Sequence, residues 1–217
     1  MRRVLLTVGV GVLAALGAIT ACGSDPPSAS SPESIVGQTI TLVTHDSFRV
    51  SPGTLEAFTT ETGVAVVVQS AGDTGQMVAT SILTVGNPLG DVMYGVDNTF
   101  LQRALDAELF EAYESPALVN VPMSLQLDPG HRVTPIDFGD VCANYWIDRF
   151  DDDLPVPATL DDLADPAYRG LLVVENPETS SPGLAFLLAT IAEFGEGWED
   201  YWRLLRDNDV VVTAGWE

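Results

Sequence analysis

The sequence predicts an α/β protein built as two lobes, each a parallel sheet covered by helices. From Thr39 onward, β-branched runs alternate with segments of helical periodicity, an order that favours parallel strands joined by helical crossovers. Two apolar runs then fall close together within residues 133–147, as where a chain leaves one lobe and enters another. The strand–helix theme resumes after them and runs to Thr213.

Residues 1–35 read as something other than fold. Arg2-Arg3 and the apolar run Val4 to Ile19 have the charged and greasy regions of an export signal. The run is short for a membrane span of ~20 residues. Thr20-Ala21-Cys22 resembles the lipobox of bacterial lipoproteins, whose cysteine carries diacylglycerol after cleavage just before it. Residues 1–21 are thus expected to be a lipoprotein signal peptide and Cys22 the lipidated residue; the other reading is an ordinary secretory signal with a chance cysteine. Ser, Pro and Gly dominate the stretch that follows, so residues 22–35 are expected to be a flexible tether.

Within the body, Thr39 to Thr44 alternates polar and apolar residues as a strand does. Thr54 to Thr62 carries Leu55 and Phe58 three apart and ends at Gly63, a short helix. Val64 to Val68 is a second strand. Gln76 to Val85 aligns Met77, Val78, Ile82 and Val85 on one helical face, stopped by Gly86-Asn87-Pro88. Asp91 to Gly95 reads as a strand and Asn98 to Leu109 as a helix. Val133 to Ile136 and Val141 to Ile147 read as strands, with Cys142 a buried filler in the second. Thr159 caps a short helix, Gly170 to Val174 is a strand, Pro182 to Phe194 and Trp198 to Arg206 are helices, and Val210 to Thr213 is the last strand. The first lobe is placed at residues 36–135 and the second at 136–217.

Charge narrows the partners. The 217 residues hold 31 acids against 9 arginines and no lysine, a formal charge of −22 that becomes −24 without residues 1–21. Such a surface repels nucleic acid and anionic lipid and offers no basic patch to a polyphosphate. It suits a cationic ligand, although acidity also serves solubility alone. With Cys22 lipidated, Cys142 has no partner, so no disulfide framework exists.

Ligands of open parallel sheets bind where strands end and loops meet helix N-termini. Four such loops carry polar residues: Thr44–Phe48, Ala71–Gly75, Asn176–Gly183 and Ala214–Trp216. In the third, Ser181-Pro182 is a strong helix start, and Gly183 keeps the backbone accessible. Its free N–H groups and the hydroxyls of Ser180 and Ser181 either hold an anion or simply cap the helix. Trp216 either stacks on a planar cation or packs against the neighbouring lobe. Asp46 and Asp73 either neutralise a cation or serve as N-caps. His45 and His131 make no metal-ligand spacing. No G-x-S-x-G, H-E-x-x-H, C-x-x-C or P-loop occurs, and Asp151-Asp152-Asp153 reads as a solvated turn. No catalytic residue, cofactor or metal is expected.

Taken together, THDSF (44–48), GDTG (72–75), DVMYGVDN (91–98), TPIDFGDVCANY (134–145), NPETSSPGLAFLL (176–188) and VVVTAGW (210–216) resemble, in order and spacing, the thiamine-binding lipoproteins and periplasmic proteins of ABC importers. The resemblance implies a two-lobe periplasmic-binding-protein type II fold that closes on thiamine or its mono- or diphosphate. It implies ligand roles for Asp73 and Thr74, a grip by Ser180 and Ser181 on the phosphate or hydroxyethyl end, and packing of Trp216 on the thiamine rings. His45 stands where relatives often have Tyr, and Asp46 is retained. It further implies an extracytoplasmic monomer that hands its ligand to an ABC permease and performs no chemistry.

Relatives of this kind continue for roughly another hundred residues, so the chain is expected to be incomplete at its C-terminus, and by itself to bind thiamine poorly. The alternatives are a binder of ferric iron, a polyamine or an organophosphonate on the same fold, or a hydrolase using Ser180 or Ser181 with His45.

Overall fold

The computed structural model describes residues 34–215. The expected signal peptide, Cys22, most of the tether and Trp216 lie outside the described residues.

The alternating segment Thr39–Thr44 forms β1, the centre of a three-stranded parallel sheet. β2 (Ala65–Ser70) pairs along its whole length on one side, from Thr39 opposite Ala65 to Thr44 opposite Ser70. β3 (Val92–Tyr94) pairs with Leu42 to Thr44 on the other. Helix α1 (Thr54–Thr62) ends where expected: Gly63 adopts φ 74° and its N–H bonds the carbonyl of Thr59, a conformation available to glycine without a Cβ penalty.

Helix α2 (Thr74–Leu83) buries Met77 and Val78 fully and Ile82 partly. Val85 is exposed, because the helix closes at Thr84, whose N–H turns back to Ser81, before that residue is reached. α3 (Leu101–Asp106) is shorter than its periodicity suggests. Asp97 Oδ1 accepts from the backbone N–H of Thr99 and of Phe100, so the chain makes an Asx turn there before it coils. Phe100, Ala104 and Val78 form the buried centre, against which Leu184 packs from the other sheet's helix.

Residues 133–147 correct the sequence reading. Neither Val133–Ile136 nor Val141–Ile147 is a strand, and Ile136, Phe138, Val141, Trp146 and Ile147 are exposed. β-branched residues favour a strand only when a neighbouring ladder takes their N–H and C=O groups, and no described strand pairs with this segment. Cys142, expected to be buried, is exposed for the same reason.

The second sheet is a parallel pair, β4 (Val173–Glu175) and β5 (Val211–Thr213). β4 begins later than Gly170 because that residue takes φ 70° and sends its N–H to the Asn208 carbonyl. Thr159 caps the short α4 (Leu160–Leu163) in a capping box with Asp162. Between the strands, α5 (Ser181–Phe194) and α6 (Trp198–Asp207) form a hairpin. Phe186 meets Trp202 edge-on at 5.7 Å, Phe194 stacks on Tyr201 at 4.3 Å, and Trp202 Nε1 donates to Thr190 Oγ1 at 2.9 Å. Asp151, Asp152 and Asp153 are exposed in a turn closed by Asp151 Oδ1.

Candidate ligand-binding site

Parallel pairing sends every strand of a sheet out at the same edge, so the loops singled out in the sequence leave from the carboxyl ends of β1, β2, β4 and β5. The two sets are bonded to one another. Gly75 N–H, in the first turn of α2, donates to the Thr179 carbonyl at 2.9 Å. Thr179 Oγ1 donates to the Ala214 carbonyl at 2.6 Å. A Cβ on Gly215 would lie 2.6 Å from Asp73 Oδ2. Asp73, the Thr179–Ser181 turn and the approach to residue 216 are therefore neighbours.

Asp73 does two things at once. Its Oδ1 accepts from Thr74 N–H at 2.7 Å as the N-cap of α2, while Oδ2 is buried with no partner among the described residues. A buried carboxylate oxygen without a donor is costly. Thr74 is buried, and its hydroxyl donates to the Gly95 carbonyl at 3.0 Å, tying α2 to the end of β3. That use was not visible in the sequence.

The start of α5 departs from expectation in three respects. The helix begins at Ser181 with Ser180 as N-cap, and neither hydroxyl caps it. Ser180 is fully buried and donates its hydroxyl to the Glu175 carboxylate, so it is not a free anion donor. Ser181 Oγ is buried and has no partner among the described residues. Gly183 is there for contact rather than access: a Cβ would collide with the Glu175 carbonyl, so the glycine lets α5 lie directly on the end of β4.

His45 and Asp46 occupy the adjoining loop. The His45 ring stacks on Tyr94 at 5.9 Å, with Phe48 edge-on to the same phenol at 5.1 Å. Gly95, at φ 112°, leaves room for the imidazole. Asp46 N–H donates to the Gly72 carbonyl at 3.1 Å, linking this loop to the one bearing Asp73.

Tyr94, Asp137 and Thr179 were missed by sequence reasoning. Tyr94 donates to Asp137 Oδ2 at 2.6 Å; that bond first, then burial, then the Asp137 charge push the phenol up to about 12. Among the described residues, no group of three or more His, Cys, Asp or Glu could hold a metal ion. A groove of about 350 Å³ between α3 and α5 includes Phe100, Arg103, Glu178 and Leu187 but none of the six candidate ligand residues that are described.

A sequence profile described as bacterial extracellular solute-binding protein matches residues 87–214. The chain belongs to that family. The thiamine-binding periplasmic protein of Escherichia coli (strain K12) is 27% identical over 182 residues, which are 82% of this chain and 54% of the relative. A solved periplasmic thiamin binding protein superposes with a TM-score of 0.62 at 22% identity, covering 82% of this chain and 56% of that one. The periplasmic binding protein AfuA from Actinobacillus pleuropneumoniae, with fructose-6-phosphate bound, gives 0.62 at 21% identity over 82% and 58%.

The fold is thus the type II periplasmic-binding fold expected from the sequence, and the chain spans about half the length of the relatives it matches. The family and these relatives are binding proteins rather than enzymes, and their extracellular or periplasmic setting supports an extracytoplasmic location.

Proposed function

We propose that this family member captures thiamine, or thiamine carrying one or two phosphates, outside the cytoplasm and delivers it to the permease of an ABC importer. The observation that carries the reading is Asp73: a buried carboxylate oxygen with no donor among the described residues, beside Gly215, in loops that bring no lysine or arginine of their own. Thiamine offers a quaternary thiazolium and an aminopyrimidine N–H₂, one to balance that charge and one to donate to it. A charge-assisted bond of this kind is worth about 1.5–3 kcal/mol. The thiamine-binding relative named above supports the choice of ligand.

In this reading Asp73, with Thr74 bracing its loop, recognises the cation. His45 and Asp46 flank the ring, Trp216 covers it, and Ser180 and Ser181 shape the far end. Residues 36–135 and 136–217 are the parts of two lobes, and contacts from both favour a closed form that the permease reads. The protein works as a monomer, cleaved after residue 21, lipid-anchored through Cys22 and spaced from the membrane by residues 22–35.

Calorimetric titration of the full-length protein with thiamine, spermidine and ferric citrate tests this. Thiamine alone should bind at micromolar concentration or tighter; saturation by iron or the polyamine, with thiamine inert, refutes the reading.

A further inference from the structure

In the proposed site the ligand's far end falls to residues 179–181, where two of three hydroxyls are already committed. Thr179 Oγ1 donates to the Ala214 carbonyl, and Ser180 Oγ to the Glu175 carboxylate. Of the three, Ser181 Oγ is the one without a partner among the described residues. The N-terminus of the 14-residue helix α5 would attract a phosphate, yet the carboxylate of Glu175 sits against its N-cap residue. Gly183, whose missing Cβ lets α5 touch the Glu175 carbonyl, holds the end of β4 in that place.

Nothing cationic offsets this charge within the loop. Residues 176–183 contain no lysine or arginine and add a second carboxylate at Glu178, which is exposed. Arg132, Arg169, Arg203 and Arg206 pair with Asp128, Asp209, Asp200 and Asp207 respectively. Arg103 lies over the Phe100 ring and lines the groove between α3 and α5 together with Glu178, Arg149 is exposed, and Arg49 is bonded to the carbonyls of Asp46 and Phe48.

We propose that Glu175 takes the place a phosphate would occupy, and that the site selects the unphosphorylated cation over its phosphate esters. The proposal rests on the reading of this site as a thiamine site. A dianionic phosphate brought beside this half-buried carboxylate meets a repulsion that an uncharged hydroxyethyl group does not. The selectivity is a penalty on the wrong ligand rather than a gain for the right one.

The test is calorimetric titration of the full-length protein with thiamine and thiamine monophosphate, in the wild type, Glu175→Gln and Glu178→Gln. The amide is isosteric, and its oxygen can still accept from Ser180. The wild type should prefer thiamine at least tenfold, and Glu175→Gln should reduce that preference tenfold or more while thiamine affinity changes under threefold. Glu178→Gln should alter the preference by less than threefold.

Equal or tighter binding of the monophosphate by the wild type overturns the proposal and leaves the thiamine reading standing; this arm needs no variant and survives a Glu175→Gln protein that fails to fold. A preference unchanged in a folded Glu175→Gln protein overturns the role of Glu175. Failure of both ligands to bind removes the thiamine reading, and this proposal with it.

Discussion

Gly75 offers a test in which the sign of the effect decides. It lies in the first turn of α2, and in an ordinary helix Gly→Ala stabilises by about 0.5–1 kcal/mol. Here a Cβ would collide with the Glu178 carbonyl oxygen and lie 2.7 Å from the Phe100 ring and 2.9 Å from the Thr179 carbonyl carbon. Two of those neighbours are backbone, and the third is a ring buried to 2% exposure, so none can swing aside. Overpacking of this kind costs about 1–3 kcal/mol. Parting α2 from the β4–α5 loop also strains the Gly75–Thr179 bond, worth about 1 kcal/mol. The clash outweighs the helix propensity, and Gly75→Ala should destabilise by about 1–3 kcal/mol in urea unfolding. Gly86→Ala, where a Cβ meets nothing within 4 Å, is the control and should be near neutral. A Gly75→Ala protein more stable than the wild type would show that the two loops do not touch.

Three further outcomes follow from the same packing and hydrogen bonds. Tyr94 and Tyr201 should ionise near pH 12 rather than 10, seen as delayed phenolate absorbance at 295 nm; Tyr94 is raised by its bond to Asp137, and Tyr201 by burial and then the Asp161 charge. Both folded values exceed the unfolded one, so their contribution to stability is full below pH 10 and fades as pH rises toward 12. Arg132 and two backbone N–H groups hold the Asp128 carboxyl well below the usual carboxylate range. Asp128→Asn should therefore cost about 1.5–3 kcal/mol at pH 7. That difference should shrink as pH falls below about 4, because a depressed carboxylate loses its contribution only on the acid side. Cys142, being exposed, should react fully with a thiol reagent in the native protein; a requirement for denaturant would contradict its placement.

Much of the architecture was legible because it rests on local signals. The alternation in Thr39–Thr44, the glycine stop at Gly63, the cap at Thr159 and the periodicity within residues 182–206 each act over a few residues, and each element formed. The misread segment, 133–147, fails for the complementary reason: a strand is a property of a pair, and its apolar residues carry no information about a partner. Loop chemistry divides in the same way. That Asp73 caps α2 could be read from its place before a helix, whereas the donation from Ser180 to Glu175 depends on a fold that stacks α5 on β4 through Gly183. Thr179 and Tyr94 escaped notice because their partners, Ala214 and Asp137, are 35 and 43 residues away.

In the proposed reading, the Asp73 oxygen that has no donor among the described residues is what suits the site to a cation, and one titration addresses it. Thiamine affinity should be compared between the full-length wild type and Asp73→Asn, with circular dichroism confirming that the variant folds. Loss of about 1.5–3 kcal/mol, at 1.4 kcal/mol per factor of ten, predicts an affinity roughly 10- to 150-fold weaker in the variant. Equal affinity in the two folded proteins would mean that Asp73 only caps its helix and that the ligand is held elsewhere.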